Sequence, residues 1–380
     1  MKILLLAGEA SGILYAERLK QALGARRPDV AFTFRGYDTE GFRTEDLAVM
    51  GFWPVVRRLG YFLGVARTMK AVIASWRPDV VVTIDYPGLN LKLAAYAKGL
   101  GIPAVHVVCP QVWAWHQNRI PKVAAALTRL LCFFPFEPAL FADTGLRATF
   151  IGHPMVDVFA EEGSVRRETG DRPLLALLPG SRAGEIARNL PRLLAAVRLL
   201  RSEGQTCRIV VPAASDRARG LIEAQTARCP DLGVEVRSGG ARDLLRRADC
   251  AAVASGTATL EAALARCPTV LVYAVSPALA WFARRVIRQI RHIGLANVIW
   301  EKSLPDRGVG REAPMPELLQ EAFTPEAVAA RLRTWLADPA ARAAATRRLD
   351  EAMALLHSDG DALGLAAEAV LEEVARCGSK

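Results

Sequence analysis

One stretch of the 380-residue chain decides the fold, and over residues 80–90 it reads VVVTIDYPGLN. Its first part, Val80–Ile84, is apolar or β-branched at every position, as in a strand buried on both faces of a parallel sheet. Asp85 follows this strand at once, in a loop that leads into an apolar helical pattern over residues 89–100. A buried strand, a polar loop and a helix form the repeating unit of a doubly wound α/β sheet.

The same unit recurs in two series, which are separated by a polar and poorly patterned segment over residues 161–172. The predicted strands are Ile3–Ala7, Val80–Ile84, Ala104–Val108, Leu130–Phe134 and Thr149–Ile151 in the first series, and Leu174–Leu178, Arg208–Val211, Val234–Val236, Cys250–Ala254 and Thr269–Tyr273 in the second. We therefore expect two Rossmann-like domains, residues 1–160 and 173–323, facing each other across a cleft. The remaining residues, 324–380, are helical in pattern and are expected to pack back on the first domain.

Composition narrows the class of protein. Hydrophobic residues make up 52% of the chain, which excludes a disordered protein, and the net charge of +10 favours an acidic partner. That partner is a nucleic acid, an anionic membrane or a phosphorylated substrate, but no nucleic-acid recognition motif is present. No apolar run is long enough to cross a bilayer. The seven cysteines are scattered, which favours a reducing, cytoplasmic location and no metal site.

Ligands of doubly wound sheets bind in the loops after the carboxyl ends of the strands. Asp85 occupies such a loop, where a charge is costly to bury unless it has a partner or a chemical role. We expect Asp85 to accept a proton from a substrate hydroxyl, and Asn90 to orient the same substrate. The alternative is that Asp85 only caps the following helix.

Two other loops of the first series carry candidate residues. The loop after the first strand contains Glu9, Ser11 and Gly12; its small residues allow a ligand close to the backbone, and Ser11 is expected to cap the next helix. The loop near residue 113 contains Trp113 and Trp115. Two tryptophans in one loop indicate either a stacking platform for a sugar or base, or packing at a domain interface.

Two loops of the second series predict a diphosphate site. Each combines glycine with a hydroxyl group at the start of a helix, where the helix dipole contributes about 0.3–1 kcal/mol to anion binding. The residues are Gly180, Ser181 and Arg182 in one loop, and Ser255, Gly256 and Thr257 in the other. Arg182 adds a cation that can form bidentate hydrogen bonds. The glycine fingerprints of dinucleotide-binding and P-loop proteins are absent from the sequence, so a nucleoside diphosphate in another setting is favoured.

Two stretches combine large apolar residues with arginines, as in helices that lie in a membrane interface. In the first, the candidate contact residues are Trp53, Val56, Arg57, Arg58, Leu59, Phe62 and Leu63. The second covers residues 279–291. The alternative for both is a core-facing helix with a solvated basic face.

Taken in chain order, the loops resemble the motifs of the lipid-A-disaccharide synthase family, inverting glycosyltransferases built from two Rossmann-like domains (the GT-B fold). The matching motifs are AGEASG at residues 7–12, LAVMGF at 47–52, IDYP at 84–87, VWAW at 112–115, PFE at 135–137, GHP at 152–154, LPGSR at 178–182, SGTATLE at 255–261 and PELLQ at 316–320.

The resemblance implies transfer of 2,3-diacylglucosamine from its UDP carrier to 2,3-diacylglucosamine 1-phosphate, which yields lipid A disaccharide 1-phosphate and UDP. The UDP-sugar is a substrate, and no cofactor or metal is implied. Asp85 would be the catalytic base and Arg182 would act in the nucleotide site, which the resemblance extends to Glu261, Asn297, Glu317 and Gln320. The resemblance also implies acyl-chain and membrane contact over residues 53–63 and a peripheral location on the inner face of the cytoplasmic membrane. Apart from the resemblance, a homodimer is kept among the candidate partners, and the oligomeric state stays open.

The chain departs from the family pattern at Ile13, at Gly88, at Gln111 and over residues 35–39. All of these positions lie in the first predicted domain, where the acceptor is expected to bind. Three alternatives therefore stay open: another UDP-N-acetylhexosamine enzyme of the same fold, such as an epimerase or a polyprenyl-linked transferase; a paralogue with a different acceptor; or a binding protein that has lost activity.

Overall fold

The computed structural model describes residues 1–8, 10–43, 59–115, 117–163, 172–276, 291–304, 306 and 308–378. The chain forms two compact units, Met1–Asp157 with Leu356–Lys380, and Val158–Leu355. Each unit contains one six-stranded sheet, and the paired strands in both sheets are parallel. The predicted α/β class with two doubly wound sheets is therefore confirmed.

The first sheet has the strand order β2-β1-β3-β4-β5-β6. Its strands are β1 (Lys2–Ala7), β2 (Thr33–Arg35), β3 (Val80–Ile84), β4 (Ala104–Val107), β5 (Arg129–Cys132) and β6 (Arg147–Phe150), and the helices around it are α1 (Ala10–Arg26), α2 (Leu59–Trp76), α3 (Pro87–Gly99), α4 (Ile120–Ala126) and α13 (Ala362–Gly378). Helix α5 (Pro154–Glu161) contains the boundary between the units. Because β2 and β3 lie on opposite sides of β1, the strand order reverses between β1 and β3, and this is where a ligand site is expected.

The second sheet has the order β12-β11-β10-β7-β8-β9. Its strands are β7 (Leu174–Leu178), β8 (Arg208–Ala213), β9 (Val234–Ser238), β10 (Cys250–Ala254), β11 (Thr269–Tyr273) and β12 (Glu317–Leu319), and its helices are α6 (Ala183–Ser202), α7 (Asp216–Thr226), α8 (Ala241–Arg247), α9 (Thr257–Leu264), α10 (Leu295–Ser303), α11 (Pro325–Ala337) and α12 (Pro339–Ala354). The strand order reverses between β7 and β10, which places the loops after these two strands at the second expected ligand site.

The helical segment predicted over residues 324–380 is divided between the units. Helices α11 and α12 belong to the second unit, and only α13 returns to the first, where it packs against α1, β3 and β4. Ion pairs help to hold α13 in place: Arg129 bonds to Glu372, and Arg147 Nη1 lies 2.5 Å from Glu373 Oε1. The expectation that the C-terminal helices pack on the first domain therefore applies to α13 alone.

Some element bounds differ from the prediction. Strand β4 ends one residue early because Val108 takes a left-handed conformation, with φ of 77°. Strand β5 runs over 129–132 instead of 130–134, and β6 over 147–150 instead of 149–151. The three-residue strands β2 and β12 had no counterpart in the prediction.

Candidate functional site

The loops after β1 and β3 begin side by side at the first point of reversal, since Ala7 pairs with Ile84 in the sheet. Their packing depends on Gly8, because a Cβ atom there would lie 2.6 Å from the ring of Tyr86. Gly12 is also close to the sheet, because a Cβ atom added at that position would lie 3.5 Å from the Cβ of Ala7. The structure thus brings together two loops that are more than 70 residues apart in sequence.

Asp85 lies in a strained part of the backbone. Asp85 and Tyr86 both have φ of 50°, a left-handed conformation that residues with a side chain rarely adopt. Two hydrogen bonds fix Asp85 in this conformation. The N–H of Asp85 donates to the Val107 carbonyl oxygen at 2.9 Å, and the N–H of Tyr86 donates to Asp85 Oδ1 at 2.8 Å. Burial raises the pKa of the Asp85 carboxyl, opposed by the Tyr86 hydrogen bond. A raised pKa in a strained loop is typical of a general base.

The fully buried side chain of Asn90 holds the Asp85 loop through hydrogen bonds. Its Nδ2 donates to the carbonyl oxygens of Leu6 at 3.2 Å, Ile84 at 3.2 Å and Asp85 at 2.8 Å. Its Oδ1 accepts a hydrogen bond from the Tyr37 hydroxyl at 2.6 Å. The amide is thus occupied by protein groups, so Asn90 positions Asp85 rather than contacting a substrate, and the predicted orienting role is wrong in that respect.

The predicted cap of α1 is also corrected. The helix begins at Ala10, so Ser11 lies exposed within its first turn rather than at the N-cap position. Glu9 is outside the described residues.

Trp113 does not form a stacking platform, because its side chain is buried inside the first unit. Its Nε1 donates to Glu137 Oε1 at 3.1 Å, and the ring packs edge-on against Phe136 with ring centres 5.6 Å apart. The neighbouring Trp115 is 46% exposed. Of the two tryptophans in this loop, Trp115 is therefore the one that lies at the surface.

Glu137, Cys109 and Cys132 place three groups that can ligate metals within 4.8 Å of one another. Burial raises the pKa of Glu137 to about 8, and burial also raises the pKa of the Cys132 thiol. Both carboxylate oxygens of Glu137 already accept hydrogen bonds, from Trp113 and from the N–H of Phe134. The cluster therefore joins the loops after β4 and β5 through hydrogen bonds within the protein.

At the second point of reversal, the first predicted diphosphate loop is occupied by Glu185. Glu185 Oε2 accepts hydrogen bonds from the N–H groups of Ser181 at 3.1 Å and Arg182 at 3.3 Å, while Oε1 accepts one from Arg182 Nη1 at 2.8 Å. Gly180 has φ of 112°, and a Cβ there would lie 2.6 Å from the Cβ of Glu185. The amides predicted to bind phosphate are therefore held by a carboxylate in the first turn of α6.

In the second predicted diphosphate loop, the start of helix α9 is exposed to solvent. Gly256 and Thr257 are exposed, Ser255 is half-buried, and a Cβ at Gly256 would meet no atom within 4 Å. Glu261 lies one turn further along α9, 3.6 Å from Arg242. Burial raises the pKa of the Glu261 carboxyl, and Arg242 opposes this shift.

Asn297 and Glu317 are brought together beside the start of α10. Asn297 Nδ2 donates to Glu317 Oε1 at 2.8 Å, and Glu317 also accepts from the N–H groups of Ile293 and Gly294, both at 3.0 Å. Gln320, with φ of 52°, begins a 3₁₀ turn directly after β12. His292, which the sequence did not single out, lies 3.6 Å from Glu317.

The pair of His292 and Glu317 predicts a pH dependence of stability. The hydrogen bond with Glu317 raises the pKa of His292 above its ordinary 6.5, although burial opposes the shift. Folding therefore favours the protonated imidazole, and this contribution is complete below pH 6.5 and is lost as the pH rises through the raised pKa. We expect His292→Gln to lower the free energy of unfolding by about 0.5–1 kcal/mol at pH 6 and by less at pH 9.

Chemical denaturation at both pH values measures this difference. His357→Gln, at an exposed position of the first unit, is the matched control. An equal loss for His292→Gln at pH 6 and pH 9 would contradict the assignment.

Few residues of the two predicted membrane stretches belong to the described part of the chain. Trp53, Val56, Arg57 and Arg58 and residues 279–290 of the second stretch lie outside the described residues, as does the side chain of Leu59. On α2, Phe62 is half-buried, with its ring centre 5.7 Å from that of Tyr61, and Leu63 is 61% exposed. In the described part of the chain, no helix has the length and apolarity needed to cross a bilayer.

Solved structures resembling this chain show its fold. The Staphylococcus aureus MnaA–UDP structure superposes with a TM-score of 0.60 at 12% identity, covering 99% of this chain and 96% of that one. CalG4, the calicheamicin glycosyltransferase, gives a TM-score of 0.56 at 15% identity, covering 99% and 98%. Both confirm two Rossmann-like domains of the glycosyltransferase type.

Sequence comparisons show the family. The profile of the family "Lipid-A-disaccharide synthetase" matches residues 3–359. The lipid-A-disaccharide synthase of Neisseria meningitidis serogroup B is 39% identical over 96% of this chain and 96% of that protein. The enzyme of the same name from Azoarcus sp. (strain BH72) is 38% identical over 94% of this chain and 92% of that protein. The chain therefore belongs to the lipid-A-disaccharide synthase family of hexosyltransferases.

Proposed function

We propose that the chain transfers 2,3-diacylglucosamine from UDP-2,3-diacylglucosamine to the 6-hydroxyl of 2,3-diacylglucosamine 1-phosphate, with inversion at the anomeric carbon. The acceptor would bind at the carboxyl edge of the first sheet and the UDP-sugar at that of the second. Two observations support this division. The strained acid Asp85 lies at the reversal point of the first sheet, and the open start of α9 lies at that of the second.

The chemistry assigned to Asp85 is general base catalysis. Its carboxylate accepts the proton of the acceptor hydroxyl as that oxygen forms a bond to the anomeric carbon. The bond from that carbon to the β-phosphate oxygen breaks, and its electron pair leaves with UDP. A positioned base of this kind contributes about 10²- to 10⁴-fold to the rate.

The leaving UDP gains negative charge as the bond breaks, so positive groups around it stabilise the transition state. We assign this role to Arg182 and to the N–H groups at the open start of α9. Arg182 currently pairs with Glu185, and its side chain is 64% exposed, which allows it to turn toward a ligand. No step of the proposed reaction passes through a cofactor. In the fold neighbour from Neisseria meningitidis, a UDP-GlcNAc 2-epimerase, UDP-GlcNAc is bound, which supports a UDP-sugar ligand for this architecture.

The observation that carries the proposal is Asp85, because it is half-buried, strained and fixed by hydrogen bonds at the expected ligand position. The test is to incubate the purified chain with both substrates and to identify the products by mass spectrometry. We expect lipid A disaccharide 1-phosphate and one UDP per disaccharide. Release of UDP without disaccharide would contradict the proposed acceptor, and a product with the mass of the donor would indicate an epimerase.

We also propose that the protein contacts an anionic membrane through α2 and the preceding residues. Leu63 is exposed on the same helix face as Arg67 and Lys70, which follow it at helical spacing and are exposed as well. An exposed apolar group beside cations suits the interface of an anionic bilayer, where each cation contributes about 1 kcal/mol. Such contact would give access to acylated substrates at the inner face of the cytoplasmic membrane. The homodimer stays a prediction.

A further inference from the structure

A cavity of about 730 Å³ lies in the second unit, apart from the predicted nucleotide site. It is lined by Leu264 at the end of α9 and by the two residues that follow, whereas the open start of α9 belongs to the nucleotide loop. The eight residues of α9 separate the two places by about 12 Å. None of the residues predicted to bind the nucleotide lines this cavity.

Positive charge and apolar surface meet in this cavity. Arg246, Arg266 and Arg347 line it, and the lining residues that the structure describes include no acidic side chain. Beside the cavity, Glu162 lies 3.4 Å from Arg246 Nη1 and Asp350 lies 2.6 Å from Arg266 Nη2. Phe159 and Leu264 contribute apolar surface beside these arginines. A volume of this size is typical of sites for small molecules. The lining therefore suits a ligand that combines an anionic group with an apolar part.

Arg246 is held rigidly in the cavity wall. Its guanidinium carbon lies 4.7 Å from the centre of the Phe159 ring, and Nη2 donates to the Phe159 carbonyl oxygen at 2.7 Å. Only 9% of its side chain is exposed. A cation fixed in this way loses little conformational freedom when an anion binds.

Arg266 occupies a position where glycine is the usual residue. It follows the end of α9 with φ of 58°, its N–H donates to Ala263, and the N–H of Cys267 donates to Ala262. This bond pattern is the Schellman motif, whose left-handed residue is commonly glycine. An arginine there is strained, yet its guanidinium bonds to Asp350 at 2.6 Å and remains 63% exposed at the cavity. Local strain of this kind is a frequent mark of a functional position.

We propose that this cavity is a second anion site, which binds the phosphate group of a partly apolar molecule through Arg266 and Arg347, with Arg246 fixed behind them. The phosphate has two conceivable sources, the headgroup of a phospholipid or a free phosphate. The apolar wall formed by Phe159 and Leu264 favours the lipid.

Calorimetric titration of the full chain tests the proposal, in saturating UDP so that the nucleotide site is filled. The probes are monomeric dihexanoyl phosphatidylglycerol, inorganic phosphate and the uncharged amphiphile hexyl glucoside. We expect saturable binding of phosphatidylglycerol, weakened about ten-fold by Arg266→Gly and by Arg347→Gln. Arg228→Gln removes the same charge from an exposed position outside the cavity and should leave the affinity unchanged.

Arg266→Gly separates a binding role from a structural one, because glycine adopts positive φ without strain. We expect this variant to unfold at the same temperature as the parent or at a higher one, while its affinity for phosphatidylglycerol falls. Phosphate binding as tight as phosphatidylglycerol would support the site and assign a free phosphate as its ligand. Binding that neither arginine substitution weakens, or hexyl glucoside binding as tight as phosphatidylglycerol, would overturn the proposal.

Discussion

Asp85→Asn is expected to lower kcat by about 10²- to 10⁴-fold and to leave the affinity for UDP unchanged. The amide cannot accept the hydroxyl proton, whereas UDP is assigned to the other unit. Asparagine also adopts left-handed backbone more readily than most residues, so the loop should keep its conformation at φ of 50°. Steady-state kinetics and calorimetric titration with UDP measure the two effects. Asp143→Asn, which changes an exposed carboxylate of the same unit, is the control.

The pH dependence sharpens this test. Because burial raises the pKa of Asp85, the base loses activity as the pH falls through that raised value, and the Asn variant should lack this limb. The contribution of Asp85 to the free energy of unfolding should fall as the pH rises, whereas its activity as a base should increase. The folded state disfavours the charged carboxylate, so this penalty is absent in acid and complete above the raised pKa. Asp85→Asn should therefore raise the unfolding temperature at neutral pH, and parent-like turnover would remove Asp85 from the mechanism.

Arg182→Ala is expected to raise the dissociation constant of UDP by about 10- to 100-fold, since a hydrogen bond to a charged group is worth about 1.5–3 kcal/mol. The rate of transfer should fall as well, because the charge that develops on the leaving UDP loses a cation. Calorimetric titration measures the first effect and initial rates measure the second. Arg182→Lys keeps the charge without the bidentate geometry and should show an intermediate loss.

The structure offers a check on a merely structural role for Arg182. Its pair with Glu185 is largely exposed on the arginine side, so its loss should cost less than about 1 kcal/mol of unfolding free energy. Arg172→Ala, which removes an exposed arginine before β7, controls for net charge. If Arg182→Ala binds UDP like the parent, the nucleotide role assigned to Arg182 is wrong.

Much of the fold could be predicted because the inner strands are apolar at nearly every position. The bounds of β3, β7, β10 and β11 agree with the prediction, and each of these strands is almost wholly buried. Strands β2 and β12 are three residues long, half-buried for the most part, and lie at sheet edges. Three residues are too few to establish a period, so such strands become visible only once their neighbours are in place.

The site was predictable in its placement and less so in its contacts. The topology rule placed Asp85 and the loops at residues 180–182 and 255–257 at the carboxyl ends of the strands, where the structure has them. The sequence could not show that Asn90 is bonded to the backbone of β1, or that Trp113 turns inward to Glu137. It also could not show that the Glu185 carboxylate holds the amides of one phosphate loop. Each of these contacts depends on groups that only the tertiary structure brings together.

The return of α13 to the first unit has a consequence for biosynthesis. Leu363, Ala366 and Val370 complete the core between β3 and α1, yet they emerge from the ribosome more than 200 residues after Asp157. The second unit is contiguous in sequence and can fold during translation. The first unit keeps an uncovered apolar surface until α13 has been synthesised. Nascent chains of this protein should therefore bind chaperones through the first unit. A stop codon just before residue 362 should destabilise the first unit more than the second.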